Sequence, residues 1–347
     1  MTPHQPQPPG APPEVSVLLP AWNEAPLLGR CLDALLAIEC PPLEVVVCAG
    51  GADGTFEIAR RYAGPRVTLL EQQPGEGKQG ALRRCLAASR GGVLYLTDAD
   101  CVVPGGVLQA VVEPVVQGEA AAATGTSCPL PEQRANPFVL FQWSLLYEWR
   151  FLRRTAARRD AQRRQRSMTR WLLGRNAAVR RDALRDAGAF AEPVTVGDDV
   201  HLARALLGQG HRIRYVRAAV ETDFLAPPGA FVRQQSRWFR GPFLHARRFG
   251  VDRDIVGVAV GVSFALAVVV WPLTLPWTRR RGLVAWLAVV GVLIGWRASC
   301  ARVLATEHDV HYPAGYWVRL PVFTLLDALG RGWSLIDLAL RSRRHTW

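Results

Sequence analysis

Two aspartates one residue apart, Asp98 and Asp100, end the apolar run Val93 to Leu96. Carboxylates at the close of a buried strand are costly unless positive charge sits between them. Hard oxygen ligands at this spacing suit Mg2+ or Mn2+, which keep coordination positions open for phosphate oxygens. The same letters also serve a turn or a helix cap. A second acidic pair, Asp198 and Asp199, opens a segment whose apolar positions Leu202, Ala205 and Leu206 repeat at helical spacing. One carboxylate there can act as a general base on an attacking hydroxyl, and its neighbour can raise its pKa toward neutrality; the pair can equally compensate the helix dipole. The third group, Gln234, Arg237 and Trp238 in "FVRQQSRWF", offers an amide, a fixed guanidinium fork and a flat ring. Those suit a diphosphate and a sugar face or channel wall, or an ordinary helix surface with a cation–π pair.

The elements that position these residues follow from periodicity. Short apolar runs at 15–20, 43–48, 66–71 and 92–100 read as strands, and helical patterns fall between them, at about 24–38, 55–63 and 78–89. Strands alternating with helices predict parallel pairing in a three-layer α/β sheet, with ligands beyond the carboxyl ends of the strands. Asp53 and the Asp98/Asp100 pair lie at such ends.

The 347 residues are long enough for one large domain with an appendage, and 49% are hydrophobic. The formal charge of +13 points to an anionic partner. Nine arginines fall between Arg150 and Arg170, directly after the aromatic stretch 136–152, a pattern that fits an interfacial anchor on anionic lipid or a core helix followed by a solvated one. Because the arginines gather beside apolar segments rather than along a groove with stacking aromatics, no nucleic acid partner is expected. Seven cysteines without a CxxC pair suggest reduced thiols and neither zinc site nor disulfide framework. Residues 1–13 are proline-rich and lack an apolar h-region, so they read as a disordered leader rather than a signal peptide.

Beyond residue 250 the composition changes. Residues 255–277 are 23 without a charge, long enough to cross a bilayer. Residues 282–296 are shorter but apolar throughout, and 313–337 are interrupted by Arg319, Asp327 and Arg331. Two or three membrane or interfacial helices are expected over 251–347. The basic run Arg279–Arg281 conflicts with a simple orientation by the positive-inside tendency, so a re-entrant or interfacial segment is one expectation.

Taken in order, these motifs resemble a membrane-associated glycosyltransferase of family 2. The resemblance covers roughly residues 14–250 and rests on DxD, an (E/D)D pair and QxxRW in that sequence, followed by an apolar tail. It implies a GT-A domain, a Rossmann-like three-layer fold that handles nucleotide-diphosphate sugars, followed by the membrane region. It further implies that Pro20, Trp22 and Glu24, in "PAWNE", lie by the nucleobase, and that Lys78 lies near the nucleotide. By the same resemblance Asp98 and Asp100 hold metal and nucleotide sugar, with Mg2+ or Mn2+ as cofactor. Asp199 is the implied catalytic base beside Asp198, and Gln234, Arg237 and Trp238 hold the diphosphate and acceptor end. One turn departs from the family pattern D-D-G-S-x-D: it reads Cys48-Ala49-Gly50-Gly51-Ala52-Asp53, keeping only Asp53, so the base contact must differ.

The implied reaction is inverting transfer of a sugar from a nucleotide-diphosphate donor to a hydroxyl or phosphate of a lipid acceptor, by an enzyme in the cell membrane with its catalytic domain cytoplasmic. A processive polysaccharide synthase is the alternative within the family. Such members usually carry spans before the catalytic domain, and no apolar run of that length is read before residue 14. Nucleotidyl transfer and a non-catalytic basic membrane scaffold are the alternatives of other classes.

Overall fold

The computed structural model describes residues 14–39, 42–148, 168–191, 194, 196–224 and 227–341. The leader and nearly all of the arginine run lie outside the described residues. Two compact units emerge: one of residues 1–128, 165–194 and 198–222, the other of 129–164, 195–197 and 223–347.

The first unit holds a sheet ordered β3-β2-β1-β4-β8-β6-β9-β5, with β7 on β9. Its strands are β1 (Val15–Trp22), β2 (Leu43–Gly50), β3 (Val67–Glu71), β4 (Val93–Leu96), β5 (Cys101–Val102), β6 (Ala122–Pro129), β7 (Met168–Thr169), β8 (Ala177–Arg180) and β9 (Ile213–Thr222). The helices are α1 (Ala25–Leu36), α2 (Thr55–Tyr62), α3 (Gly77–Ala88) and α4 (Gly105–Val116). In the second unit α5 spans Pro137–Leu145; back in the first are α6 (Arg181–Asp186) and α7 (Asp198–Gly208). The near-continuous apolar runs of β1, β2 and β4 are buried on both faces, as parallel central strands require.

Alternation along β1 makes the layers. Val15, Val17 and Leu19 face Leu28, Leu32 and Leu35 of α1 and Leu108 and Val112 of α4, whereas Leu18 faces Ala81, Leu82 and Cys85 of α3 and Leu202 and Leu206 of α7. The expected three-layer α/β sheet is therefore present, but parallel pairing holds only for β3-β2-β1-β4. β8 pairs antiparallel with both β4 and β6, and β5 and β7 pair antiparallel with β9. The alternation that implied parallel crossovers stops at β4: the next long segments are β6 and the stretch leading to β8, which are not built as βαβ units. The strand expected over 92–100 also ends early, at Leu96, and the DAD triplet forms a turn closed by the Cys101 N–H donating to the Asp98 carbonyl at 3.1 Å.

The second unit is helical: α5, then α8 (Pro228–Phe249), α9 (Arg253–Val270), α10 (Leu275–His308) and α11 (Ala314–Arg341). Asn136 caps α5 by accepting from the Phe138 N–H at 2.9 Å. Phe138, Phe141, Phe231 and Phe323 form its aromatic centre, with Phe138 edge-on to Phe231 at 5.2 Å. α11 packs along α8 and α9.

Among the described residues one helical run, Arg253–His308, is long and apolar enough to cross a membrane, with a window of mean hydropathy 2.3 that is 22% buried. Within the expected membrane region, 251–347, this run spans α9 and α10, and α11 follows it. The run includes a 3-10 turn at Trp271–Thr274 and a non-helical backbone at Arg279, and the Trp286 indole N–H donates to the Val268 carbonyl at 2.9 Å, so α10 returns along α9. The third apolar stretch fails on composition because Asp327 and Arg331 sit within it, and both are buried. Of the seven cysteines, Cys40 lies outside the described residues; the other six are free and buried.

Candidate active site

The candidate site gathers beyond the carboxyl ends of the parallel strands, where open α/β sheets bind ligands. β1 ends in Trp22, whose ring is exposed and lies over Gly50; a Cβ on Gly50 would come within 2.8 Å of that ring and 2.5 Å of the Gln72 carbonyl. Asn23 adopts a left-handed φ of 56° and its side-chain oxygen accepts from the Ala52 N–H at 2.9 Å. Gly51 has φ of 116°, and a Cβ there would reach 2.3 Å from the Asn23 amide oxygen. Gly50, which keeps the pattern's glycine, and Gly51, which stands at its serine, are thus what Trp22 and Asn23 require of their neighbours.

Asp53 has both oxygens engaged. One accepts from the Thr55 N–H at 3.0 Å and the Thr55 hydroxyl at 2.6 Å, the other from the Ala25 N–H at 3.0 Å. It ties the starts of α1 and α2 together, and the Thr55 hydrogen bond leads the effects holding its carboxyl below the usual range. Glu24 is half-buried at the start of α1, its N–H donating to the Thr55 hydroxyl at 2.7 Å. Pro20 is buried inside β1, opposite Cys48.

Four carboxylates meet two cations at the end of β4. Lys78, in the first turn of α3, donates to Asp98 at 2.7 Å and lies 3.6 Å from Asp198. Arg175 lies 3.9 Å from Asp98 and 4.0 Å from Asp100, and donates to the Thr222 hydroxyl at 3.0 Å. Its place follows from register. Leu96 pairs with Ala177 across the antiparallel β4–β8 ladder, so two residues on in one strand and two back in the other bring Asp98 opposite Arg175. Asn176 anchors the approach: it accepts from the Tyr95 hydroxyl at 2.8 Å and donates to the carbonyls of Thr126 at 2.8 Å and Ala218 at 3.1 Å.

Charges here perturb one another. Burial pushes the Asp98 carboxyl up, but Lys78 and Arg175 outweigh it and hold it below the usual range. Burial opposes the charge on Lys78, and Asp198 and Asp98 more than restore it. Asp199 goes the other way: burial, then the charge of Asp198, push it up to about 6. Its oxygens accept from the Val200 N–H at 2.8 Å and the Gly174 N–H at 3.5 Å. A carboxylate poised there can take a proton near neutral pH.

Asp98 and Asp100 converge on one guanidinium, so both face a single position where positive charge sits. Two carboxylates with no third ligand fit Mg2+ or Mn2+, which complete their octahedron with water and substrate phosphates; among the described residues no group of three or more His, Cys, Asp or Glu is assembled for a metal. The expected site residues Lys78, Asp98, Asp100, Asp198 and Asp199 are therefore brought together. Arg175 joins them without having been singled out, because its partner depends on the β4–β8 register. Gln234, Arg237 and Trp238 belong to the second unit, on α8, with Arg237 and Trp238 exposed beside the buried Gln235 and Ser236.

A mixed sheet with carboxylates gathered past its parallel strands is the GT-A architecture of glycosyltransferases. The chain belongs to the glycosyltransferase-like family 2, whose profile matches residues 12–241. An N-acetylglucosaminyltransferase of Rhizobium sp. is 27% identical over 322 residues, 84% of this chain and 70% of its own length. The succinoglycan biosynthesis protein ExoA of Rhizobium meliloti is 26% identical over 88% of this chain and 94% of its own. A beta-monoglucosyldiacylglycerol synthase of Nostoc sp. is 26% identical over 88% of this chain and 68% of its own. Among solved structures, the mannosyltransferase PcManGT from Pyrobaculum calidifontis, in complex with GDP-Man and Mn2+, shares the fold at a TM-score of 0.56 and 22% identity, over 94% of this chain and 88% of that one.

Proposed function

We propose that the protein is an inverting glycosyltransferase that moves a sugar from a nucleotide-diphosphate donor to a hydroxyl or phosphate of a membrane lipid. The observation that carries the reading is Asp199, raised to about 6 beside Lys78, Asp98 and Asp198. Asp199 takes the proton of the acceptor hydroxyl. The acceptor oxygen forms a bond to the anomeric carbon as the bond from that carbon to the diphosphate oxygen breaks, and the nucleoside diphosphate departs with the electron pair. Attack opposite the leaving group inverts the anomeric centre. Lys78 and Arg237 stabilise the negative charge on the leaving diphosphate, and Trp238 with Gln234 holds the acceptor end. Trp22, Pro20 and Glu24 flank the nucleobase, and Asp53 supports them by fixing the α1 and α2 starts. A divalent cation, Mg2+ or Mn2+, bound by Asp98 and Asp100 supplies further neutralisation of that diphosphate; PcManGT's complex with Mn2+ supports this.

Residues 14–250 form the catalytic region in this reading and 251–347 the membrane region, with the catalytic side cytoplasmic. The apolar run Arg253–His308 and the resemblance to a diacylglycerol-glycosylating enzyme support a lipid acceptor. Polysaccharide synthesis is the second reading, favoured by the similarity to ExoA along nearly all of that protein. Membranes carrying the protein, incubated with a panel of radiolabelled nucleotide sugars and then extracted with organic solvent, separate the two. Label in the organic phase is expected; label in insoluble polymer favours the second reading, and no transfer from any donor overturns both.

A further inference from the structure

Lys78 and Arg175 face the same carboxylates but are held differently. Lys78 is committed: it donates to Asp98 at 2.7 Å and lies 3.6 Å from Asp198. Arg175 stands 3.9 Å from Asp98 and 4.0 Å from Asp100, too far for a hydrogen bond to either. Among the described residues its guanidinium donates only to the Thr222 hydroxyl, at 3.0 Å. A guanidinium carries five N–H donors in a planar fork, so most of those on Arg175 are open, and its side chain is 21% exposed. A structural Arg–carboxylate pair closes to about 2.7–2.9 Å. Arg175 is drawn to the two aspartates without being bonded to them.

The anchor of this arginine is built into the sheet. Cys101 pairs with Thr222 across the β5–β9 ladder, so the buried hydroxyl that holds Arg175 lies opposite the residue after Asp100. On the other side Gly174 packs on Asp199: its N–H donates to that carboxylate at 3.5 Å, and a Cβ on it would come within 3.3 Å of the Asp199 Cβ. The open fork is thus placed between the carboxylates proposed to hold a cation and the carboxylate proposed to take the proton.

Charge favours the diphosphate as its ligand. When all four carboxylates are ionised they exceed Lys78 and Arg175 by two negative charges. With Mg2+ or Mn2+ on Asp98 and Asp100 the group is neutral, and the attraction that keeps Arg175 beside those aspartates is lost. A diphosphate entering with the cation is anionic, and its oxygens match the guanidinium fork. A further anion, such as a carboxylate on the sugar, would add to negative charge that the diphosphate has already introduced.

We propose that Arg175 is a donor-binding residue: in the nucleotide-free protein it is the counter-cation of Asp98 and Asp100, and its fork passes to the diphosphate when a divalent cation takes those carboxylates. Cation and nucleotide therefore favour one another's binding through Arg175. The inference rests on the nucleotide-sugar reading of the site and adds to it a residue that couples the two ligands.

The test is titration calorimetry on detergent-purified full-length protein, with Mn2+ alone and then with UDP and GDP at saturating Mn2+. Arg175→Gln should bind Mn2+ alone roughly fivefold more tightly, because a competing cation is gone. It should bind the preferred nucleoside diphosphate about tenfold more weakly, because the fork is gone. The opposite signs identify the role. An arginine that only supports the fold would weaken both affinities, and one that only competes with the cation would tighten both; either result overturns the proposal. Arg175→Lys keeps the charge without the fork, and it decides the matter if Arg175→Gln melts early. It should return Mn2+ affinity toward wild type and leave nucleotide affinity below it; the reverse pattern overturns the proposal. Wild type that binds UDP or GDP while Arg175→Gln binds it equally well removes this role and spares the nucleotide-sugar reading. Wild type that binds neither, with or without Mn2+, removes both.

Discussion

Lowering the pH should switch the enzyme off through Asp199. Burial and the adjacent Asp198 push its carboxyl up to about 6, and only the ionised form accepts a proton. At about pH 7 roughly ten in eleven molecules carry the base, and at about pH 5 roughly one in eleven, so kcat/KM should fall about tenfold between them. Because kcat/KM reports the free enzyme, the shift in the unliganded protein is the relevant one. Asp198→Asn removes the second cause of the rise and should move the acid limb to lower pH. Linkage gives a second readout. A carboxyl raised on folding contributes stability that is present below its unfolded pKa of about 3.9 and lost as pH rises through about 6, so Asp199→Asn should flatten the melting-temperature profile in that window. Asp98, held low, has the opposite sign: its contribution is present above the unfolded value and lost as pH falls. The assay is initial-rate transfer at subsaturating donor, with calorimetric melts of the same samples. A rate flat from about pH 8 to pH 5, or an acid limb unmoved by Asp198→Asn, refutes the assignment of Asp199 as the titrating base.

Arg175 lies against both Asp98 and Asp100, so Arg175→Gln should tighten Mn2+ binding to the nucleotide-free protein by roughly fivefold, about 1 kcal/mol at these part-exposed distances; titration calorimetry reads it, and weaker binding contradicts it. Gly125→Ala puts a Cβ 2.2 Å from the Asn176 amide and 2.4 Å from the Ala218 carbonyl, and should cost about 1–3 kcal/mol in chemical denaturation; an unchanged midpoint speaks against Asn176 as a rigid anchor. Full-length protein should stay in the membrane fraction through high salt and carbonate washing because of the run Arg253–His308; its release without detergent means that run is covered by protein. Arg237→Ala should weaken donor binding and slow transfer while leaving the fold intact, and unaltered turnover removes Arg237 from the diphosphate site.

The parallel half of the sheet was legible because its strands are uninterrupted apolar runs separated by helix-period segments, and each motif at their ends fell at a carboxyl terminus. The antiparallel half was not, since the pairing of β8 and β6 is set by side chains distant in sequence, Asn176 among them. That is why Asp98 could be named from spacing, and Lys78 from the family resemblance, and Arg175 could not. The glycine turn after β2 read in the sequence as a departure from the family pattern that changes the base contact. In the structure its glycines answer to Trp22 and Asn23, and only a folded backbone reveals that constraint. Hydropathy measures composition, whereas the 3-10 turn at Trp271–Thr274 and the pairing of Asp327 with Arg331 depend on packing.

The most direct measurement is sugar transfer by Asp199→Asn beside donor binding by the same variant. Asparagine keeps an oxygen to accept from the Val200 N–H, which Asp199 bonds at 2.8 Å, and it caps a helix nearly as well as aspartate, so calorimetric affinity for the nucleotide sugar should hold and the melting temperature at neutral pH should not fall. The amide cannot take the acceptor's proton, and transfer should fall by about 10² to 10⁴. Near wild-type turnover with intact donor binding would contradict the account, because the proton would then be leaving by another group.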